Sequence, residues 1–336
     1  MNTQDIKQEL NSKEYSFLRN NEHLGNNIIL LTTGGSYAYG TNVESSDLDI
    51  RGIATERIEE LIGLSSFEQF ENKETDTTIY ALNKVIKLML NCNPNIIELF
   101  GTKEEHLFIC NEYGKLLRDN VNLFLSKKVI HSFGGYATAQ LRRLQNALAR
   151  DSYPQSEKEQ HMLNSIKNQI VSFEDRYKKI TNENINLYID KSEKGDLDSE
   201  IFMNVNLKNY PLRDFKNIYS EMSNIVKDYE KLNHRNSKKD ELHLNKHALH
   251  LIRLLKMGTE LLEGKGINTY REKDRSLLLD IRNGKYSYEE IFEMVDEYEK
   301  DFKYASDNTD LPNIPNYKKV EELVIEINKG VINNAK

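Results

Sequence analysis

Residues 28–33, IILLTT, form an apolar run that stops at Gly34-Gly35. The run predicts a buried strand and the glycines a tight turn. LDIRGIA (48–54) alternates apolar and polar positions and predicts a second strand. SFEQFEN (66–72) and TDTTIYA (75–81) predict two more, with a turn near Asn72 and Lys73. From Ala81 the period lengthens. Leu82, Val85, Ile86, Met89 and Leu90 fall on one face of a helix. NPNIIELF (93–100) predicts the next helix, with Pro94 in its first turn.

Strand signals thin out after residue 110. VIHSFGGYATAQLRRLQNALAR (129–150) is expected to be helical after its glycines, and SEKEQHMLNSIKNQIVSFEDRYKKI (156–180) to be a long charged helix. INLYIDKSEKGDLDSEIFMNVNL (185–207) breaks the rhythm and predicts a hairpin around Lys194-Gly195. Helical periods resume at 212–233, 241–263, 274–283 and 287–304. DNTDLPNIPNYKK (307–319) is a proline-punctuated linker, and VEELVIEIN (320–328) a last helix. At the other end, MNTQDIKQELNSKEYSFLRN predicts a polar amphipathic helix without a signal peptide's apolar core. The expected class is α+β: a small mixed sheet with helices over residues 1–115, then a larger, mainly helical domain over 116–336 that closes a cleft.

Composition narrows the function. A net charge of −7 argues against a general nucleic-acid coat but leaves room for a local basic cleft. Cys92 and Cys110 have no metal-ligand spacing, so reduced thiols and a cytoplasmic setting are expected. No apolar run reaches the ~18 residues that span a bilayer, so any membrane step would fall to a partner.

The chemistry concentrates in TTGGSYAYGTNVESSDLDIRG (32–52). Asp47 and Asp49, two apart on the predicted strand, would share a face. At an effective dielectric of about 20, two like charges ~4 Å apart repel by ~4 kcal/mol. A divalent cation removes that repulsion, and Mg²⁺ readily shares carboxylates with substrate phosphates. Gly34 and Gly35 let backbone approach a bulky anion, and Ser36 can open a short helix whose free N–H groups favour phosphate. A phosphate notch beside paired carboxylates is the layout of nucleotidyl transfer, with two metal ions expected. Asp76 is the choice for a third carboxylate, with Glu74 and Glu71 as rivals. Arg51, of the same strand parity, either holds a phosphate or pairs with the acids. The scheme fails if the carboxylates face apart, or if a neighbouring cation closes them off and leaves no room for substrate.

GGSYAYGTNVESSDLDIRG resembles the GG/GS–DxD pattern of the DNA polymerase β nucleotidyltransferase superfamily. More narrowly, it is similar to the bacterial branch associated with RNA repair. NPNIIELF, FGGYATAQLRRL, KHALHLIRLL, LLLDIRNGKYSYEEI and LPNIPN follow in that branch's order. The resemblance implies a polymerase-like palm, Mg²⁺ (Mn²⁺ could substitute), and transfer of a nucleoside monophosphate from a triphosphate, with ATP or dATP as the expected donor. Carried onto this chain, Gly35 and Ser36 hold the triphosphate, and Asp47, Asp49 and Asp76 hold metal. The chain is also similar in outline to the nucleotidyltransferases of Hailong antiphage systems. That likeness implies short single-stranded DNA, primed on a tyrosine near the C-terminus and holding a membrane effector partner closed. Tyr317 is the tyrosine so implied.

Helical spacing proposes a second wall. Lys246, His250 and Arg253 lie at i, i+4 and i+7, as do Tyr136, Gln140 and Arg143. The first set suits nucleotide phosphates, the second a base. Solvated helix faces and ordinary packing explain the same spacings. Glu98 could anchor a basic residue of that wall. Three functions compete: a template-independent nucleotidyltransferase making a nucleotide or short DNA signal, the same chemistry on an RNA end or a partner protein, and an inactive nucleotide-binding regulatory module.

Overall fold

The computed structural model describes residues 1–152, 160, 163, 164, 166, 167, 177, 184–193, 199–234 and 241–334. The chain divides into two units, one of residues 1–138 with 248–336 and the other of residues 139–247.

The first unit is built on five strands: β1 (Ile28–Thr33), β2 (Ile50–Ala54), β3 (Gln69–Asn72), β4 (Thr77–Ala81) and β5 (Leu107–Cys110). Their order is β3-β4-β2-β1-β5. β1 pairs antiparallel with β2 and β5, β3 antiparallel with β4, and β2 parallel with β4. Every residue of β1 is buried, as a continuous apolar run between two neighbours requires. β4 alternates instead, and β2 is buried except at Arg51. Ile50, Ala54 and Ile79 pack into one core with Ile6, Leu10 and Leu18 of the N-terminal helices α1 (Thr3–Leu10) and α2 (Phe17–Asn20). The opposite face of the same strands carries Arg51, Thr78 and Tyr80, all half-buried.

Short helices follow the strands: α3 (Gly35–Tyr39), α4 (Ile58–Leu61), α5 (Leu82–Met89), α6 (Pro94–Phe100) and α7 (Glu112–Asp119). Leu82, Val85, Ile86 and Met89 of α5 are buried, as their spacing predicts. Asn93 caps α6 through the Asn95 amide, and Pro94 opens it. The longer helices are α8 (Lys128–Ser152), α9 (Leu212–His234), α10 (Glu241–Leu262), α11 (Arg275–Arg282), α12 (Tyr288–Asn308) and α13 (Tyr317–Asn334). The unit boundaries fall within α8 and α10.

Several expectations shift. β2 begins at Ile50, so Asp47 and Asp49 lie in the run-in to the strand rather than on it. The N-terminal helix is two helices, because Asn11 caps the first back onto Gln8 and Glu9. α8 runs through Gly134 and Gly135 instead of starting after them, with Phe133 and Ala137 buried on either side; packing outweighs glycine's low helix propensity. β5 and α7 were not predicted. Four residues, LFIC, are too few for a period to show.

In the second unit β6 (Ile185–Lys191) and β7 (Ser199–Val205) form the predicted antiparallel hairpin. Its turn at Lys194-Gly195 lies outside the described residues, as does most of the helix expected over 156–180. Among the described residues, no helix is long and apolar enough to cross a membrane.

Candidate active site

The end of β1 delivers the glycine pair to Asp49. The Gly34 amide donates to the Asp49 carbonyl at 2.8 Å, extending the β1–β2 ladder one step beyond the strand. Gly35 then turns with φ of +51°, the left-handed region, and opens α3. A Cβ on Gly35 would sit 2.0 Å from Asp49 Oδ2. The glycine is there because the carboxylate occupies its side-chain space.

The parallel pairing of β2 and β4 brings in the second acid. Ile50 lies opposite Thr77, so the residues just before them, Asp49 and Asp76, come side by side where the two strands begin. The Ile50 amide donates to the Asp76 carbonyl at 3.2 Å. Asp76 has φ of +42°, a region that aspartate tolerates better than most residues. Arg51 binds both acids: its Nη2 lies 3.2 Å from Asp49 Oδ1 and 2.9 Å from Asp76 Oδ1. Its Nη1 donates to the carbonyls of Ile50 and Asp76. Asp47 is exposed and stands outside this pairing, though its charge reaches Asp49. Of the rivals to Asp76, Glu71 bonds with Gln69, and Glu74 is exposed in the β3–β4 turn.

The electrostatics of the acid pair are lopsided. Burial, the hydrogen bond with Asp76 and the charges of Asp76 and Asp47 push Asp49 up to about 7, and Arg51 only partly opposes them. Burial would raise Asp76 as well, but the hydrogen bond with Asp49 and the adjoining Arg51 guanidinium hold it below the usual carboxylate range. The pair therefore shares a proton near neutral pH and is short of positive charge. Its all-oxygen donor set suits a hard divalent cation in chemistry. In position Arg51 pairs with both acids, but Asp47 and Asp76 line an open cavity of about 410 Å³, so room for a substrate remains beside them; among the described residues no three His, Cys, Asp or Glu side chains stand ready to hold a metal.

Behind the notch, α3 is braced from below. The Tyr39 hydroxyl donates to Glu98 Oε2 at 2.7 Å, and Arg253 Nη1 donates to the same oxygen at 3.1 Å. The Arg253 guanidinium lies 3.7 Å over the Tyr39 ring, which also meets His250 edge-on. Glu98 thus anchors a basic residue of α10, as the sequence suggested. Arg253 itself is buried in that contact. Glu98→Ala strands a buried guanidinium and should destabilise the fold by about 3 kcal/mol, read as a lower urea midpoint. An unchanged midpoint would show that the brace contributes nothing.

The loop between α3 and Asp47 is held by arginines to which the sequence reading assigned no role. The Arg271 amide donates to the Tyr39 carbonyl at 3.0 Å, and Arg275 Nε to the Gly40 carbonyl at 2.7 Å. Arg282, buried, donates to the Thr41 carbonyl at 2.7 Å and to Ser46 Oγ at 3.0 Å. Main-chain acceptors distant in sequence leave no pattern to find, although LLLDIRNG contains Arg282.

The fold therefore brings Gly34, Gly35, Ser36, Asp49, Arg51 and Asp76 to one sheet edge, with Asp47 beside them. His250 and Arg253 lie behind α3. Tyr136 is 39% exposed on α8. Lys246, Gln140 and Arg143 belong to the second unit, where Gln140 Oε1 meets His247 Nδ1 at 3.0 Å and the other two are exposed. Tyr317 starts α13; its hydroxyl lies 3.4 Å from Lys128 Nζ, and none of its contacts is to the acid pair.

A mixed sheet with a glycine notch against paired aspartates, and helices behind it, is the architecture of a polymerase-β-like nucleotidyltransferase. Residues 4–168 match the family described as RlaP, RNA repair pathway DNA polymerase beta family, a likeness that supports a polymerase-β-like nucleotidyltransferase. No curated protein and no solved structure matches the chain.

Proposed function

We propose that the acidic edge is a metal-dependent nucleotidyl transfer site that moves an NMP or dNMP from a nucleoside triphosphate to a hydroxyl. The observation that carries this reading is the abutment of Asp49 with both Asp76 and Gly35. One short edge sets two carboxylates against each other and sets a glycine backbone, open to an anion, against one of them. Asp47, Asp49 and Asp76 would hold Mg²⁺, which when bound activates the attacking hydroxyl and neutralises the leaving pyrophosphate. Gly34, Gly35 and Ser36 present backbone to the triphosphate. Arg51 supplies the positive charge that the acid pair needs without metal. Its long side chain is free to re-pair with a substrate phosphate when a cation takes its place.

A nucleic-acid end is the acceptor we favour. The matched family's description names an RNA repair pathway, and the Tyr317 hydroxyl sits on Lys128 rather than at the acid pair. The pure protein, Mg²⁺ and each labelled NTP or dNTP, ATP and dATP first, should extend a supplied single-stranded oligonucleotide. Nucleotide mass appearing on the protein instead, and lost in Tyr317→Phe, would favour self-priming and a short DNA signal of the antiphage kind. No product with any donor on any acceptor would reject transfer and leave a nucleotide-binding module.

A further inference from the structure

Three stretches of the chain contain no acidic residue: 82–97, 120–138 and 311–320. The chain as a whole is acidic, 53 acids in 336 residues with a net charge of −7, although 23–43, 201–213 and 242–259 are free of acids too. The fold brings 82–97, 120–138 and 311–320 together. Lys128 Nζ donates to the Leu90 carbonyl at 2.9 Å and to Asn91 Oδ1 at 3.0 Å, and lies 3.4 Å from the Tyr317 hydroxyl. The Lys127 amide donates to the Pro312 carbonyl at 2.8 Å, and Asn93 Nδ2 to the Tyr136 hydroxyl at 3.4 Å.

Lys128 is the joint, held by its three partners. Around it Lys87, His131, Lys318 and Lys319 are exposed and Lys127 is half-buried. Among the described residues none of these five forms an ion pair with an acid. Tyr136 and Tyr317 stand in the same surface, 39% and 48% exposed. α8 and α13 both start here, and their positive ends add to the same sign. A cationic surface studded with part-exposed aromatic rings is the footprint of single-stranded nucleic acid: lysines meet the backbone and rings stack on bases of any kind.

We propose that this face binds a single-stranded nucleic acid, with Lys87, Lys127, Lys318 and Lys319 on the phosphates and Tyr136 and Tyr317 against the bases. Its purpose, supplying the strand whose end accepts a nucleotide, rests on the transferase reading; the binding does not.

The test is fluorescence anisotropy with labelled oligouridylate and oligothymidylate and the full chain, in the absence of metal and nucleotide. Wild type should bind, with log K falling against log salt at a slope of about −2 to −3, as three or four phosphate contacts on a single strand predict. Lys87→Glu/Lys318→Glu/Lys319→Glu should weaken binding at least ~10-fold and flatten the slope by about 2. The matching triple Gln variant, less disruptive to folding, should fall between. Tyr136→Ala should weaken binding with the slope unchanged. Asp49→Asn should bind as wild type does. The proposal is overturned by absent wild-type binding, by a charge-reversed protein with wild-type affinity and slope, or by inorganic polyphosphate competing as well as an oligonucleotide of equal charge. Binding without nucleotide transfer would sink the transferase reading alone.

Discussion

Asp49→Asn is expected to melt later than wild type and to transfer no nucleotide. The two effects have one cause. Asp49 is pushed up to about 7 from an ordinary 3.8. Between those values the folded chain keeps a proton that the unfolded chain has lost, so this group's contribution to stability falls as pH rises. The neutral amide escapes that penalty. Its advantage should grow from about pH 4 to about pH 7 and stay level above. Discounted for the open edge and for Arg51, we expect about 1–2 kcal/mol at pH 8. Transfer should fall by roughly 10³-fold or more, because an amide neither balances a cation nor replaces the carboxylate's charge. The same proton predicts that Mn²⁺ binds wild type more tightly as pH rises through 7, since metal and proton compete for Asp49. Melting curves from pH 4 to 8, alongside a transfer assay, decide the matter. An Asn variant less stable at every pH, or one that still transfers, would remove the acid pair from the centre of the mechanism.

Gly35→Ala should damage transfer and stability together. The backbone at φ of +51° disfavours any Cβ, by about 1–2 kcal/mol. The larger effect is positional: a Cβ 2.0 Å from Asp49 Oδ2 forces the carboxylate, the notch or both to move by around an ångström. A misplacement of that size costs about 10²-fold in rate. We expect at least that loss of transfer, with about 1–3 kcal/mol of stability. Gly135→Ala is the matched control. Its Cβ would meet nothing within 4 Å on exposed α8, and alanine suits a helix better, so it should be neutral or stabilising. Equal behaviour of the two alanine variants would mean that the notch and Asp49 are not in register.

The fold was legible where period and length agreed. IILLTT is β1 to the residue. Leu82 to Met89 is α5, with its predicted face buried. The α+β class follows from those runs and from the thinning of strand signals after residue 110, where one hairpin remains. β5 and α7 escaped because LFIC is an unbroken apolar run with no alternation to mark it as a strand, and no strong turn signal sets it apart from the helix after it. Of the site, GGS and SDLD were visible as residue types. Their contact was not, nor was the proximity of Asp76, which depends on β2 and β4 pairing parallel and in one register. The i, i+4, i+7 rule put Lys246, His250 and Arg253 on one helix face but could not tell an exposed lysine from a buried arginine.

By itself the sequence determined the local elements, the glycine pair that alone permits the turn at residue 35, and the supply of carboxylates. All of these are short-range: a dihedral preference, a period, a charge. Only the tertiary structure decided which acids meet, that Arg51 pairs with both, that Arg253 braces Tyr39 through Glu98, and that three acid-free stretches form one surface. Each of those is a contact between residues far apart in the chain, and side-chain burial and charge balance exist only once the strands are paired.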